Sequence, residues 1–173
     1  LNHVSLARTL WDVELDFEAL QGDYFRCLYG DAAEPVQALH EALERALVEY
    51  RPVTTGLDAY LSPEVVAQAR GMLREAREAE ASDAVQRRLD ILAAQVELGD
   101  RLAGAKRTAQ EYERTEDRVV LKRLGQERDD LLAYVETHPV DGAYHLAGVQ
   151  CKIDEDLIGS RLLMEQAEQE EIG

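Results

Sequence analysis

The stretch that decides the fold is Leu61-Ser62-Pro63-Glu64-Val65-Val66-Ala67-Gln68-Ala69-Arg70-Gly71-Met72-Leu73-Arg74-Glu75-Ala76. Ser62 supplies a side-chain oxygen to the orphan N–H groups of a first helical turn. Pro63 stands where its missing N–H costs nothing, and Glu64 sets negative charge beside the positive helix end. From that start Val65, Val66, Ala69, Met72, Leu73 and Ala76 recur at threes and fours, which gathers them on one apolar face. An apolar stripe on a polar helix needs a partner to bury it, so this stretch predicts a helix packed against other helices.

The same period extends in both directions, and period-2 alternation is nearly absent. Toward the C-terminus, Ser82-Asp83 ends or re-caps the first helix. Val85, Leu89, Leu92, Val96, Gly99 and Ala103 then carry the next, with Asp83/Arg87 and Glu97/Arg101 as i,i+4 pairs worth a few tenths of a kcal/mol each. Val120, Leu124, Leu131 and Val135 mark another helix, expected to stop at His138-Pro139. A last piece starts with turn chemistry at Asp141-Gly142 and shows Ile153, Leu157, Ile158, Leu162 and Leu163 before an acidic end. Toward the N-terminus, Val36, Leu39, Leu43, Leu47 and Tyr50 trace a stripe entered through Asp31 to Pro35 and ended by Arg51-Pro52, followed by a loop to about Leu61. Before it, Phe17, Leu20, Tyr24, Cys27 and Leu28 lie between Asp16, a fitting N-cap, and Gly30, a fitting C-terminal stop.

These readings predict an all-α protein, an antiparallel bundle of about five to seven helices in one domain of 173 residues. Residues 1–60 form aromatic-rich entry helices, 61–138 long Ala/Leu-rich helices, and 139–173 a C-terminal helix with an acidic tail. Leu1, Val4, Leu6, Leu10 and Trp11 start the sequence on an apolar run with no polar lead-in, which suggests a piece taken from a longer protein. The compartment is not legible.

The chain carries 19 basic and 35 acidic residues, a net charge of −16. Such a charge repels phosphate backbones and anionic bilayers, so neither nucleic acid nor membrane is an expected partner. Lysine occurs only at 106, 122 and 152, and an acid-rich, lysine-poor surface suits a solubility or salt adaptation. No cofactor, metal or catalytic residue is expected. Glu-x-x-His pairs for a di-metal bundle site are missing, because Gln37, Val135 and Gly142 precede His40, His138 and His145 by three. His40-Glu41 lacks the second histidine of a zinc-protease motif, and no phosphate-cradling glycine loop or nucleophile elbow occurs. Cys27 and Cys151 read as buried thiols acting as small hydrophobes. Arg114, Arg118 and Lys122 recur at fours, either as a contact for an acidic partner or as a solvated face pairing with Glu111, Glu113 and Asp117.

Leu10-Trp11-Asp12-Val13-Glu14-Leu15-Asp16-Phe17-Glu18-Ala19-Leu20, with Asp23-Tyr24-Phe25 and Leu28-Tyr29-Gly30-Asp31-Ala32-Ala33-Glu34-Pro35, carries a resemblance. It resembles the start of the helical domain that follows a (β/α)8 barrel in a bacterial domain-of-unknown-function family similar to glycoside hydrolases. α-Glucuronidases and hexosaminidase-like enzymes have a similar layout. Leu61 to Val66, Ala69, Met72-Leu73 and Asp83 to Leu89 resemble the next two helices, so the likeness covers roughly residues 1–107. It implies a non-catalytic C-terminal domain that supports its own upstream barrel or mediates homo-oligomerisation, the catalytic carboxylates lying upstream of Leu1. Trp11 and Asp12, with Tyr24, Phe25 and Tyr29, would border the cleft or form the docking surface, although the same aromatics suit core packing. The alternative from another class is a free-standing acidic module for protein–protein interaction.

Overall fold

A computed structural model describes residues 16–49 and 61–137, and every element among them is helical. Helix α1 spans Phe17–Tyr29 and leads through a 3-10 turn, Gly30–Ala32, into α2, Ala33–Glu49. Helix α3 is Pro63–Glu78, α4 is Asp83–Thr115 and α5 is Arg118–Thr137. The readings of residues 1–15, of the loop before Leu61 and of the piece beyond His138 lie outside the described residues.

The caps stand where the side chains dictate. Asp16 accepts the Ala19 N–H at 3.1 Å, Ser62 that of Val65 at 3.3 Å, and Ser82 that of Val85 at 3.4 Å. At α5 Asp117 accepts the Val119 N–H at 2.8 Å. Gly30 closes α1 at φ +55°, a conformation that a Cβ disfavours, and its N–H returns to the Arg26 carbonyl.

Helix α4 is the spine. Its 33 residues rise about 50 Å at 1.5 Å each. Gly104 does not interrupt it, and the turn before α5 is only Glu116-Asp117, with Glu116 in the left-handed region at φ 51°. Neighbours run antiparallel along it. Arg70 reaches Glu97, and seven residues further along α3 Arg77 reaches Asp90, seven residues back along α4. On the other flank Glu111 holds Arg123 while Arg101 covers the Tyr134 ring, so α4 and α5 also run in opposite directions.

One spine serving successive partners gives a core in sections. Near its start, Val85 and Leu89 close over Phe25, Tyr29, Val36 and Ala76. In the middle, Leu92, Ala93 and Val96 pack on Leu39, Ala69 and Leu73 from α2 and α3. Further on, Ala103 meets Leu61 and Val66. Leu98 and Ala105 join Leu124, Leu131 and Val135 of α5. Leu39, Leu89, Leu124 and Leu131 are fully enclosed, each stabilising the fold by about 1.5–3 kcal/mol relative to an exposed side chain.

Two α4 arginines tie in the segments that enter and leave the neighbouring helices. Arg88 donates to the Leu28 carbonyl at 2.9 Å, satisfying a last-turn acceptor of α1. Arg107 donates to the Leu61 carbonyl at 3.0 Å, fixing the chain just before the Ser62 cap. Cys27 is exposed, which corrects its expected burial: it lies on the outer side of α1, beside exposed Arg26, while Phe25 and Tyr29 turn inward. Cys151 lies outside the described residues.

Candidate docking surfaces

Helix α1 places its aromatics one turn apart, and the turn at Gly30–Ala32 folds α2 back over them. The Phe25 ring meets Tyr24 edge-on with centroids 5.7 Å apart, Tyr29 at 6.3 Å and the His40 ring of α2 at 5.2 Å. Phe25 is 3% and Tyr29 8% exposed, and Tyr24 is half-buried. Phe25 and Tyr29 are therefore core, with no free face for a docking partner. The expectation of a surface there gives way to packing for these two, while Trp11 and Asp12 lie outside the described residues. Burial raises the Tyr29 pKa, with a smaller push from Tyr24, against the opposing charge of Arg88. Burial lowers the His40 pKa, so its imidazole is neutral at pH 7.

The exposed apolar side chains lie elsewhere. Phe17 is 49%, Leu47 56% and Val48 58% exposed, and Val119 at the start of α5 is 75% exposed. Phe25 meets His40 within the α1–α2 hairpin; eight residues back is Phe17 and eight residues on is Val48, so antiparallel helices bring both to the hairpin's open end. The short sequence signal for this patch, Leu47 followed by Val48, is masked by the stripe to which Leu47 also belongs.

Arg114, Arg118 and Lys122 are exposed at the α4–α5 turn, the first on α4 and the other two at the start of α5. Arg114 suits the negative end of α4. Glu111, one of the acids expected to pair with this stripe, is engaged instead by Arg123, which also lies 3.8 Å from Glu127.

A charge network of which the sequence reading foresaw only the Glu97/Arg101 pair crosses α3 and α4. Arg70 lies 2.6 Å from Glu97 and 2.8 Å from Asp100, Arg101 is 2.8 Å from Glu97, and Arg77 is 2.7 Å from Asp90. Its signal was the match of Arg70 and Arg77 with Asp90 and Glu97, the same interval on two helices. Burial pushes the Glu97 pKa up, and the Arg70 hydrogen bond with the charges of Arg101 and Arg70 outweighs it, leaving the carboxyl below its ordinary value. The Glu97 bond in turn holds the Arg70 proton more firmly.

Two of the surface cavities are formed by described residues. One, of about 650 Å³, has Leu73, Ala93, Ala94 and Val96 in its walls and Tyr134 of α5 at its edge. The other, of about 580 Å³, lies over Gly22, Gly30 and Ala33 with Asp31, Glu34 and Glu41 around it. Glu41 accepts from Gln37 at 2.9 Å, so it is tied to its own helix. Among the described residues no three His, Cys, Asp or Glu side chains are grouped to hold a metal ion, and no helix is long and apolar enough to cross a membrane. No family model, curated protein or solved structure matches the chain.

Proposed function

We propose that this chain is a non-catalytic helical module of a larger glycoside-hydrolase-like protein, docking on its own barrel or mediating assembly, with five to seven helices in its complete bundle. The observation that carries the reading is the apolar end of the α1–α2 hairpin, where Phe17, Leu47 and Val48 are exposed on a chain of net charge −16. Grouped apolar side chains on an acidic surface suit a contact with another domain or a second copy. No cofactor, nucleic acid or membrane enters this role.

The test has two arms. The chain alone, incubated with a panel of aryl glycosides, is expected to give no turnover. In the intact protein, Leu47→Asp with Val48→Asp is expected to loosen the module, read as faster proteolytic release with unchanged helical circular dichroism. Hydrolysis by the chain alone, abolished by one Asp or Glu substitution, overturns the reading; unchanged release removes this end from the contact.

A second reading, an acidic interaction module for a basic partner, is favoured by Asp31, Glu34 and Glu41 around one cavity. It predicts salt-sensitive binding of lysine-rich peptides, lost in Glu34→Lys with Glu41→Lys. Arg114, Arg118 and Lys122 would serve an acidic partner on the same module.

A further inference from the structure

Two long helices joined by two residues leave little slack. The turn between α4 and α5 is Glu116-Asp117, and Glu116 closes it in the left-handed region at φ 51°, which disfavours a residue with a Cβ and suits glycine. Neither of these positions, nor Thr115 and Arg118 beside them, is Gly or Pro, so nothing in the backbone chemistry forbids helix through the turn. Among the described residues α4 is the one helix on which α5 packs extensively, with Leu98 and Ala105 against Leu124, Leu131 and Val135. Helix α5 thus carries its main interface on a short hinge that relaxes when it opens, the combination that favours exchange of an element between copies.

We propose that α5 exchanges between two copies of this chain, the α4–α5 turn opening so that α5 of each copy lies on α4 of the other. The register decides what meets at the twofold axis. Arg123 holds Glu111 and Arg101 covers Tyr134, and both pairs are centred at residues 117 to 118. The same pairs form between copies, so the exchanged α5 regains its apolar packing, its ion pair and its cation–π contact. New contacts arise at the hinge. There the antiparallel register sets Glu116 opposite Arg118 of the second copy, and sets Val119 opposite Thr115 of the second copy. At 75% exposed in the single chain, Val119 is the most exposed large apolar side chain among the described residues, and exchange gives it a neighbour. The exchange belongs to the chain itself and does not rest on any parent enzyme.

Size exclusion of the full chain, concentrated in mild urea and returned to buffer, reads the dimer. Glu116→Ala with Asp117→Ala removes the Asp117 cap of α5 and favours helix through the hinge, and is expected to raise the association constant about tenfold or more. Three glycines inserted between Glu116 and Asp117 relax the closed turn and are expected to abolish the dimer. These positions are exposed, and circular dichroism reports whether the helices persist. Glu111→Cys with Arg123→Cys, in a chain carrying Cys27→Ser and Cys151→Ser, separates exchange from side-by-side pairing. A short bismaleimide is expected to join two copies in the dimer fraction and to close single chains in the monomer fraction. No dimer in the alanine variant, a dimer that persists in the glycine insertion, or a dimer fraction linked only within chains overturns the proposal. Leu47→Asp with Val48→Asp is expected to leave the exchange unchanged; a dimer lost there assigns association to the α1–α2 hairpin and overturns it too.

Discussion

Gly99 faces Leu61 so closely that a Cβ at position 99 would stand 2.9 Å from the Leu61 Cδ1. Leu61 cannot retreat cheaply. Its side chain packs with Val66 and Ala103, and its carbonyl is tied to Arg107. Gly71 of α3 is the natural control, with nothing within 4 Å of the position its Cβ would take. Gly71→Ala is expected to stabilise by about 0.5–1 kcal/mol through helix propensity alone. Gly99→Ala gains the same propensity and loses about 1–3 kcal/mol to overpacking, for a net destabilisation. Urea midpoints decide it: equal gains at both sites would show that Leu61 yields freely.

Arg88 and Arg107 do for two carbonyls what backbone partners do inside a helix. Replacing either with Met keeps much of the apolar stem and removes the donor. Each change is expected to cost about 1–2 kcal/mol, because a part-buried carbonyl loses a charge-assisted bond. The effects should also be local. Arg107→Met speeds amide exchange at the start of α3, and Arg88→Met does so at the α1–α2 turn. Global loosening with no difference between the two regions would contradict separate anchoring roles.

Glu116 ends α4 with its N–H on the Tyr112 carbonyl at 2.7 Å, and it does so in the left-handed conformation that glycine adopts without penalty. Glu116→Gly is expected to raise stability by about 1 kcal/mol, offset in part by the greater entropy of the unfolded chain. Glu116→Val is expected to lower it, since a β-branched residue fits that conformation poorly. Thermal midpoints in the order Gly, Glu, Val test the assignment.

What was legible follows from how locally each feature is specified. The starts at Asp16, Ser62 and Ser82 are set by hydrogen bonds within three residues, so they stand where the sequence places them. The stripe from Val65 to Ala76 likewise buries Val66, Ala69, Leu73 and Ala76. The reach of α4 to Thr115 was not legible, because Gly104 obscures the pattern and the face that is buried rotates as α3 gives way to α5. Cys27 shows the same limit. Its spacing fits the stripe of Phe17, Leu20 and Tyr24, yet Phe25 and Tyr29 set the buried face, so the thiol emerges on the outside. For the candidate surfaces, the aromatic content of α1 was visible, but whether a ring faces solvent depends on where the turn at Gly30–Ala32 sends α2.

Among the described residues Glu97 and His40 lead the response of stability to acid, while the exposed Glu64 carboxyl, held below its ordinary value by its hydrogen bond with Ser62, adds to the response of Glu97. Glu97 has its pKa depressed in the folded protein, by Arg70 and Arg101 against burial. The unfolded chain therefore binds its proton first as pH falls, and the contribution of Glu97, present above its unfolded value near 4.3, is lost on descent through the folded value. His40 also has a depressed folded pKa, from burial against Phe25. Below about 6.5 the unfolded imidazole is protonated while the folded one resists, so stability starts to fall there, before Glu97 responds. Urea midpoints between pH 7.5 and 3 are thus expected to decline in two stages. His40→Phe is expected to erase the upper stage and keep the lower one, and Glu97→Gln to shrink the lower stage and keep the upper one. Glu97 is partly exposed, so screening weakens its stage in 0.5 M salt more than that of His40, whose shift comes chiefly from burial. A single decline below pH 5 in the unsubstituted chain would remove His40 from this account.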